Sequence, residues 1–195
     1  MNVKRISRLS PIALLGIYLL TANSLLAQEN SIDVATDITL EEWQAVLNAP
    51  EGGVDRQVKV VDIGKSNVAV GVLHRGQVPV SDQPVRGIVH TLVTEVYSVT
   101  SGSGVLVTGG TVTNRRDVPD PEDNPIVTTI VGESFFGAVA RGDGQVREIS
   151  EGDLVVIPAG VFHGWHEVED HVTYLSIRPD PDKVLPEGYV NPYAN

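Results

Sequence analysis

The 195-residue chain carries 14 basic and 25 acidic side chains, a formal charge of −11, and no cysteine. The length suffices for one domain with its own core. The lack of thiols excludes disulfides, thiol catalysis and thiolate metal sites, so any metal must be held by His, Asp or Glu. The acidic balance disfavours nucleic acid and anionic membranes as partners.

Lys4, Arg5 and Arg8 precede an apolar run from about Ile12 to Leu20, and small residues lead on to Ala27. This is the pattern of a secretory signal peptide over residues 1–27, cleaved after Ala27 or after Ser24. The run is short of the roughly 20 apolar residues a membrane span needs, so no stable membrane insertion is expected after cleavage. Loss of residues 1–27 leaves 11 basic and 25 acidic side chains in a secreted or periplasmic protein.

Residues 28–56 are read as an N-terminal extension with a short helix. Thr39 is its N-cap, Glu41 and Glu42 sit in the first turn, and Leu40, Trp43 and Leu47 share a face. Pro50-Glu-Gly-Gly53 ends it. From there, short runs rich in Val, Ile and Thr alternate with Gly, Pro, Asp and Asn. Strands are predicted near 57–63, 67–74, 86–93, 95–100, 104–108, 126–131, 145–149, 153–157, 162–168 and 171–178. Many short strands imply an all-β sandwich or closed barrel over 57–178. Residues 109–125 read as a surface loop, either a tolerated insertion or a lid whose Arg115 or Arg116 meets an anionic ligand. The Pro-rich tail, 179–195, is expected to wrap the barrel or a partner subunit.

The chemistry concentrates in Gly152-Asp-Leu-Val-Val-Ile-Pro158-Ala-Gly160-Val-Phe-His163-Gly-Trp165-His166-Glu167. The Pro-x-Gly turn reverses the chain and fixes which way His163 points. A second stretch runs from His90 through Glu95 and Tyr97 to Gly102. Strand residues two apart share a face, so Glu95, Tyr97 and Val99 point one way. If His163 points inward, so do Trp165 and Glu167, while His166 points out. A carboxylate facing an apolar interior is costly unless paired or bound to a cation.

These stretches resemble the two motifs of the cupin superfamily. Gly152, Pro158, Gly160 and His163 match the second motif at its spacing, with Glu167 where the family has Asn. His90, Glu95 and Gly102 match the first, with Ile88 in place of its first histidine and Asp82 in place of its leading glycine. The resemblance implies an all-β, cupin-type jelly-roll barrel with a short N-terminal helix, and a homodimer. It also implies one divalent ion (Fe, Mn, Ni, Cu or Zn) held by His90, Glu95 and His163, a set of two imidazoles and one carboxylate. The alternative is a metal-free site in which an arginine holds Glu95 and His163 is a hydrogen-bonded interior histidine. His74 is either a fourth ligand or exposed; His166 and His171 read as exposed. Tyr97 and Trp165 line the pocket or pack the core. Glu167 is a general base or a surface acid.

The leading expectation is a metal-dependent enzyme on a small organic substrate, dioxygenase-like in preference to isomerase or lyase. Tyr97 or Glu167 would move the proton. The alternative is a non-catalytic cupin binding a sugar or other small ligand, and a third is a purely structural barrel dimer. No helix-turn-helix segment accompanies the barrel, which speaks against a sugar-sensing transcription factor.

Overall fold

The computed structural model describes residues 34–194; the expected signal peptide and its cleavage position lie outside them. One helix, α1 (Leu40–Leu47), precedes ten strands. In chain order these are β1 (Asp55–Asp62), β2 (Asn67–Arg75), β3 (Val85–His90), β4 (Glu95–Thr108) and β5 (Thr113–Asp117). Then come β6 (Ser134–Val139), β7 (Gln145–Ser150), β8 (Leu154–Ile157), β9 (His163–Glu167) and β10 (Val172–Asp180).

Helix α1 starts where Thr39 and Glu42 form a reciprocal capping box. Arg56 closes its other end by donating to the carbonyls of Val46, Leu47 and Ala49. The buried face centres on Val46, with Trp43 and Leu47 beside it against Val58 and Val72; Leu40, expected on that face, is exposed.

The strands form two facing antiparallel sheets, the jelly roll expected from the sequence. One runs β1-β2-β10-β4-β8, the other β7-β4-β9-β3-β6-β5. Strand β4 belongs to both. Its first half pairs with β10 and β8, and its second half, from Ser103, pairs with β7 and β9. The expected strands 95–100 and 104–108 are therefore one strand of 14 residues. Tyr97, Val99, Leu106, Ile157, Trp165 and Tyr174 are buried between the sheets.

Three other expectations are corrected. The strand predicted at 126–131 is a π-helical segment, Ile126–Val131. Its β-branched residues favour strand, but Asn124 takes the N–H groups of Ile126, Val127 and Thr128 and bends the chain into a helical turn. The loop at 109–125 contains β5, an exposed edge strand without apolar alternation. Strand β6 escaped the sequence reading because its adjacent Phe135 and Phe136 break the period of two. The tail wraps its own barrel: Leu185 packs against Val60, Ala69 and Val93, and Val190 bridges to Lys59.

Strands β3 and β9, neighbours in one sheet, approach closely around their single pair, Ile88–His163. Two glycines permit this. A Cβ on Gly87 would lie 2.1 Å from the His163 carbonyl oxygen, and one on Gly164 would lie 2.4 Å from the Arg86 carbonyl oxygen. Both obstacles are backbone, so a methyl group there must push the strands apart. Gly164→Ala is expected to cost about 1–3 kcal/mol in denaturant unfolding. Gly76→Ala, with no atom within 4 Å of its Cβ, should cost less than about 0.5 kcal/mol. Equal losses would contradict this close approach.

Candidate metal centre

The Pro158-Ala-Gly160 turn docks on the first motif segment. Gly160, at φ 80°, donates its N–H to the His90 carbonyl at 2.7 Å, and Ala159 N–H donates to Thr94 Oγ1 at 3.2 Å. The turn thus sets the start of β9 against the end of β3 and the start of β4. His90, Glu95 and His163 occupy those three strand ends, and all three are buried.

His90 Nε2 and His163 Nε2 each lie 3.2 Å from Glu95 Oε2. Donor atoms about 2.1 Å from a single ion are about 3.0 Å apart at right angles and about 3.4 Å apart in a tetrahedron. The observed spacing therefore suits one ion. The far side of each ring fixes its tautomer. The Ser134 hydroxyl donates to the Gly132 carbonyl, so its oxygen accepts from His90 Nδ1–H at 2.8 Å. His163 Nδ1 faces the Val161 carbonyl at 3.2 Å, which can only accept. Both rings therefore aim Nε2 at the same carboxylate oxygen. Burial lowers the His90 pKa against the pull of Glu95, which favours the unprotonated ring. The three residues could therefore hold a metal ion.

The other carboxylate oxygen is taken up elsewhere. Glu95 Oε1 accepts from Ser176 Oγ at 2.7 Å and from Arg178 Nε at 3.0 Å. Arg178 is fully buried, and its remaining donors reach Asp55, Gln57 Oε1 at 2.8 Å and the Ile130 carbonyl at 3.3 Å. Gly71 makes room for it: a Cβ there would lie 2.5 Å from Nη1. Burial alone would lower the Arg178 pKa, but Asp55 and Glu95 reverse this and raise it. Burial likewise works to raise the Glu95 pKa, yet the histidines and Arg178 outweigh it and hold the carboxyl well below its ordinary value. The Tyr97 hydroxyl donates to Oε2 at 3.1 Å. Burial first, and the Glu95 charge second, push its pKa well above the ordinary phenol value.

The three atoms open on a cavity of about 880 Å³ between the sheets. Tyr97 and Trp165 line it, as does Ile88 at the position of the missing histidine. Glu167 does not line it, and His166 does. This reverses the orientations expected from strand parity. Leu106 pairs with Trp165 and Val105 with Glu167, so His166 is an unpaired bulge residue that shifts the alternation. His74 lies outside the site, bonded to Thr173 Oγ1 at 2.9 Å and stacked on His171. His171 bonds to Asp170 at 2.7 Å, and Asp82 pairs with Arg141 on the surface. Arg115 lies over the Phe135 ring and pairs with Asp117, whereas Arg116 lines the cavity.

Sequence reading missed Arg178 and Asp55. A signal for Arg178 existed: it shares parity with Val172, Tyr174 and Ser176, which makes it a cation on an inward face. An arginine does hold one oxygen of Glu95, while the other oxygen faces the two imidazoles.

No family model matches the chain. Among curated proteins, acireductone dioxygenase of Tuber melanosporum (strain Mel28) is 42% identical over 43 residues, 22% of this chain and 25% of that enzyme. The match thus spans a quarter of that relative's length. Among solved structures, a Bacillus halodurans protein covers 82% of this chain and 91% of its own at 14% identity and a TM-score of 0.42. A Klebsiella pneumoniae protein with a double-stranded β-helix domain covers 76% and 93% at 15% identity and a TM-score of 0.40. The Schizosaccharomyces pombe Cnp3 cupin domain covers 69% and 70% at 6% identity and a TM-score of 0.38. In architecture the described residues form one jelly-roll barrel with both motif segments turned toward its interior.

Proposed function

We propose that the protein is an exported metalloenzyme acting on a small organic substrate, with dioxygenase-type chemistry as its reaction class. The observation that carries this reading is the convergence of two imidazole Nε2 atoms and one carboxylate oxygen on a cavity, with both Nδ1 atoms and the other carboxylate oxygen engaged elsewhere. The match to acireductone dioxygenase supports the reaction class. A divalent ion at these atoms supplies Lewis acidity and, as Fe(II), a redox partner for dioxygen.

The chain's own residues set the rest. Ser176 and Arg178 orient the carboxylate, and Tyr97 stays protonated and donates to it. Trp165 and Ile88 present apolar walls that exclude water from the reacting end of the substrate. Of the two residues expected to move a proton, Tyr97 lines the cavity and Glu167 does not; His166, on the cavity wall, stands where Glu167 was expected and takes the proton-transfer role in its place. Export rests on the signal-type pattern over residues 1–27; among the described residues no helix is long and apolar enough to cross a membrane.

The test is elemental analysis of untagged protein recovered from its own compartment. About one equivalent of Fe, Mn, Ni, Cu or Zn is expected, and His163→Ala and Glu95→Gln should each lower it at least tenfold. Protein that neither contains nor takes up any of these ions would sink the metalloenzyme reading and leave a small-ligand binder. Intact mass of the same sample should begin at Gln28 or Leu25; a mass starting at Met1 would contradict export with cleavage.

Acid should weaken the metal-free protein through His90. Its folded pKa lies below the ordinary value near 6.5, so the unfolded chain takes up that proton first. Stability is lost as the pH falls below about 6.5, by at most about 1.4 kcal/mol per pH unit. Relative to His90→Asn, the wild type should therefore lose stability between pH 6.5 and 5. Parallel curves for the two proteins would contradict a neutral buried His90.

A further inference from the structure

The chain is acidic, yet its cavity carries three arginines, two from one sheet and one from the other. Arg115, Arg141, Arg178 and Lys183 each face a carboxylate. Arg75, Arg86 and Arg116 have no hydrogen-bond or ion-pair partner among the described residues, and all three line the 880 Å³ cavity. The Nε of Arg75 is buried with no acceptor. A buried donor of this kind is costly to leave unmet.

The sheet register shows how these cations stand relative to the candidate metal centre. His163 pairs with Ile88, Ile88 with Phe136, and Phe136 with Arg116. Directly opposed residues in a sheet share a face. One row across β9, β3, β6 and β5 thus reads ligand, aliphatic, aromatic, cation. Arg86 lies two residues before Ile88 on β3, on the same face. Arg75 enters from the opposite sheet at the end of β2, and its charge acts on Tyr174. The acids lining the same cavity are committed, Glu95 to the histidines and Arg178, and Asp55 to Arg178.

We propose that Arg75, Arg86 and Arg116 are an anion-binding subsite and that the substrate is an organic anion with an apolar body. Resting on the metalloenzyme reading, this places the reacting end at His90, Glu95 and His163. The body lies along Ile88 and Phe136, and the oxyanion head, a carboxylate or a phosphate ester, sits among the arginines. The fork of N–H groups on Arg matches either head in two-point contact. A cavity of this volume lies in the ~300–1,000 Å³ range of sites for ligands well larger than a bare two-carbon acid. The local positive charge also draws an anion into a protein whose net charge repels it.

The test uses the exported, metal-containing protein with matched probes: phenylpropanoate, hexanoate, adipate and phenylpropyl phosphate against neutral phenylpropanamide. Binding is read by calorimetry and by thermal shift. At least one anion is expected to bind, with the amide at least about tenfold weaker. Whether carboxylates or the phosphate ester bind more tightly identifies the head group. Arg86→Gln and Arg116→Gln, both at exposed positions that leave the core intact, should each weaken the anion at least about tenfold. Arg141→Gln, on Asp82 outside the cavity, should bind as the wild type does. Metal content is measured in every variant, and His163→Ala is included. Metal without anion binding overturns the subsite alone, whereas arginine-dependent anion binding without metal overturns the metal reading alone. Equal binding of the amide, or unchanged binding in both cavity-arginine variants, also overturns the subsite.

Discussion

The buried contact between Arg178 and Glu95 organises this barrel. An arginine with no exposure is expensive to bury unless all its donors are met. Here four hydrogen bonds, to side chains of β4 and β1 and to a carbonyl of the π-helical segment, engage all three of its nitrogens, so the guanidinium joins three elements to β10. One consequence is chemical. With Oε1 fixed by Arg178 and Ser176, Glu95 is left a single oxygen, Oε2, to share with the histidines and Tyr97. A second consequence is electrostatic. With the two histidines, the cation helps keep a carboxylate ionised where burial would otherwise neutralise it. Removing Arg178 would leave Glu95 and Asp55 without their shared counter-charge, a far larger disturbance than loss of a surface pair.

The scaffold delivers the two histidines with matching economy. A single turn, Pro158 to Gly160, both starts β9 and bonds back to His90. Gly87 and Gly164 then let β9 and β3 touch. The rings are oriented from behind by Ser134 and by the Val161 carbonyl. Ser134 and Val161 do not line the cavity, yet each decides which way an imidazole Nε2 points. The apolar side chain of Ile88 sits beside His163 where the related motif carries a histidine, leaving three candidate ligands and an apolar wall.

How much of this was legible in the sequence depended on range. The Pro-x-Gly turn and the spacing around His90 and Glu95 are local, and the structure brings His90, Glu95 and His163 to one site as the motif resemblance implies. Helix α1 was legible for the same reason, through Thr39 and Glu42. What failed depended on pairing partners that spacing does not reveal. The bulge at His166 arises from the register of β9 on β4, and one extra residue was enough to exchange the orientations of His166 and Glu167. Strand β5 exists because β6 offers it an edge, not because Thr113–Asp117 has strand character. At Ile126–Val131 the composition pointed to strand, and the neighbouring Asn124 decided otherwise. Arg178 was the one distant residue with a local clue, its parity with Tyr174.

The division of labour at Glu95 is open to direct measurement. X-ray absorption on the metal-containing protein reads the number and kind of atoms around the ion. The geometry predicts two imidazole nitrogens and one carboxylate oxygen from the protein, with Glu95 bound through Oε2 alone because Arg178 occupies Oε1. A carboxylate bound through both oxygens, or a spectrum without two imidazoles, would contradict the account.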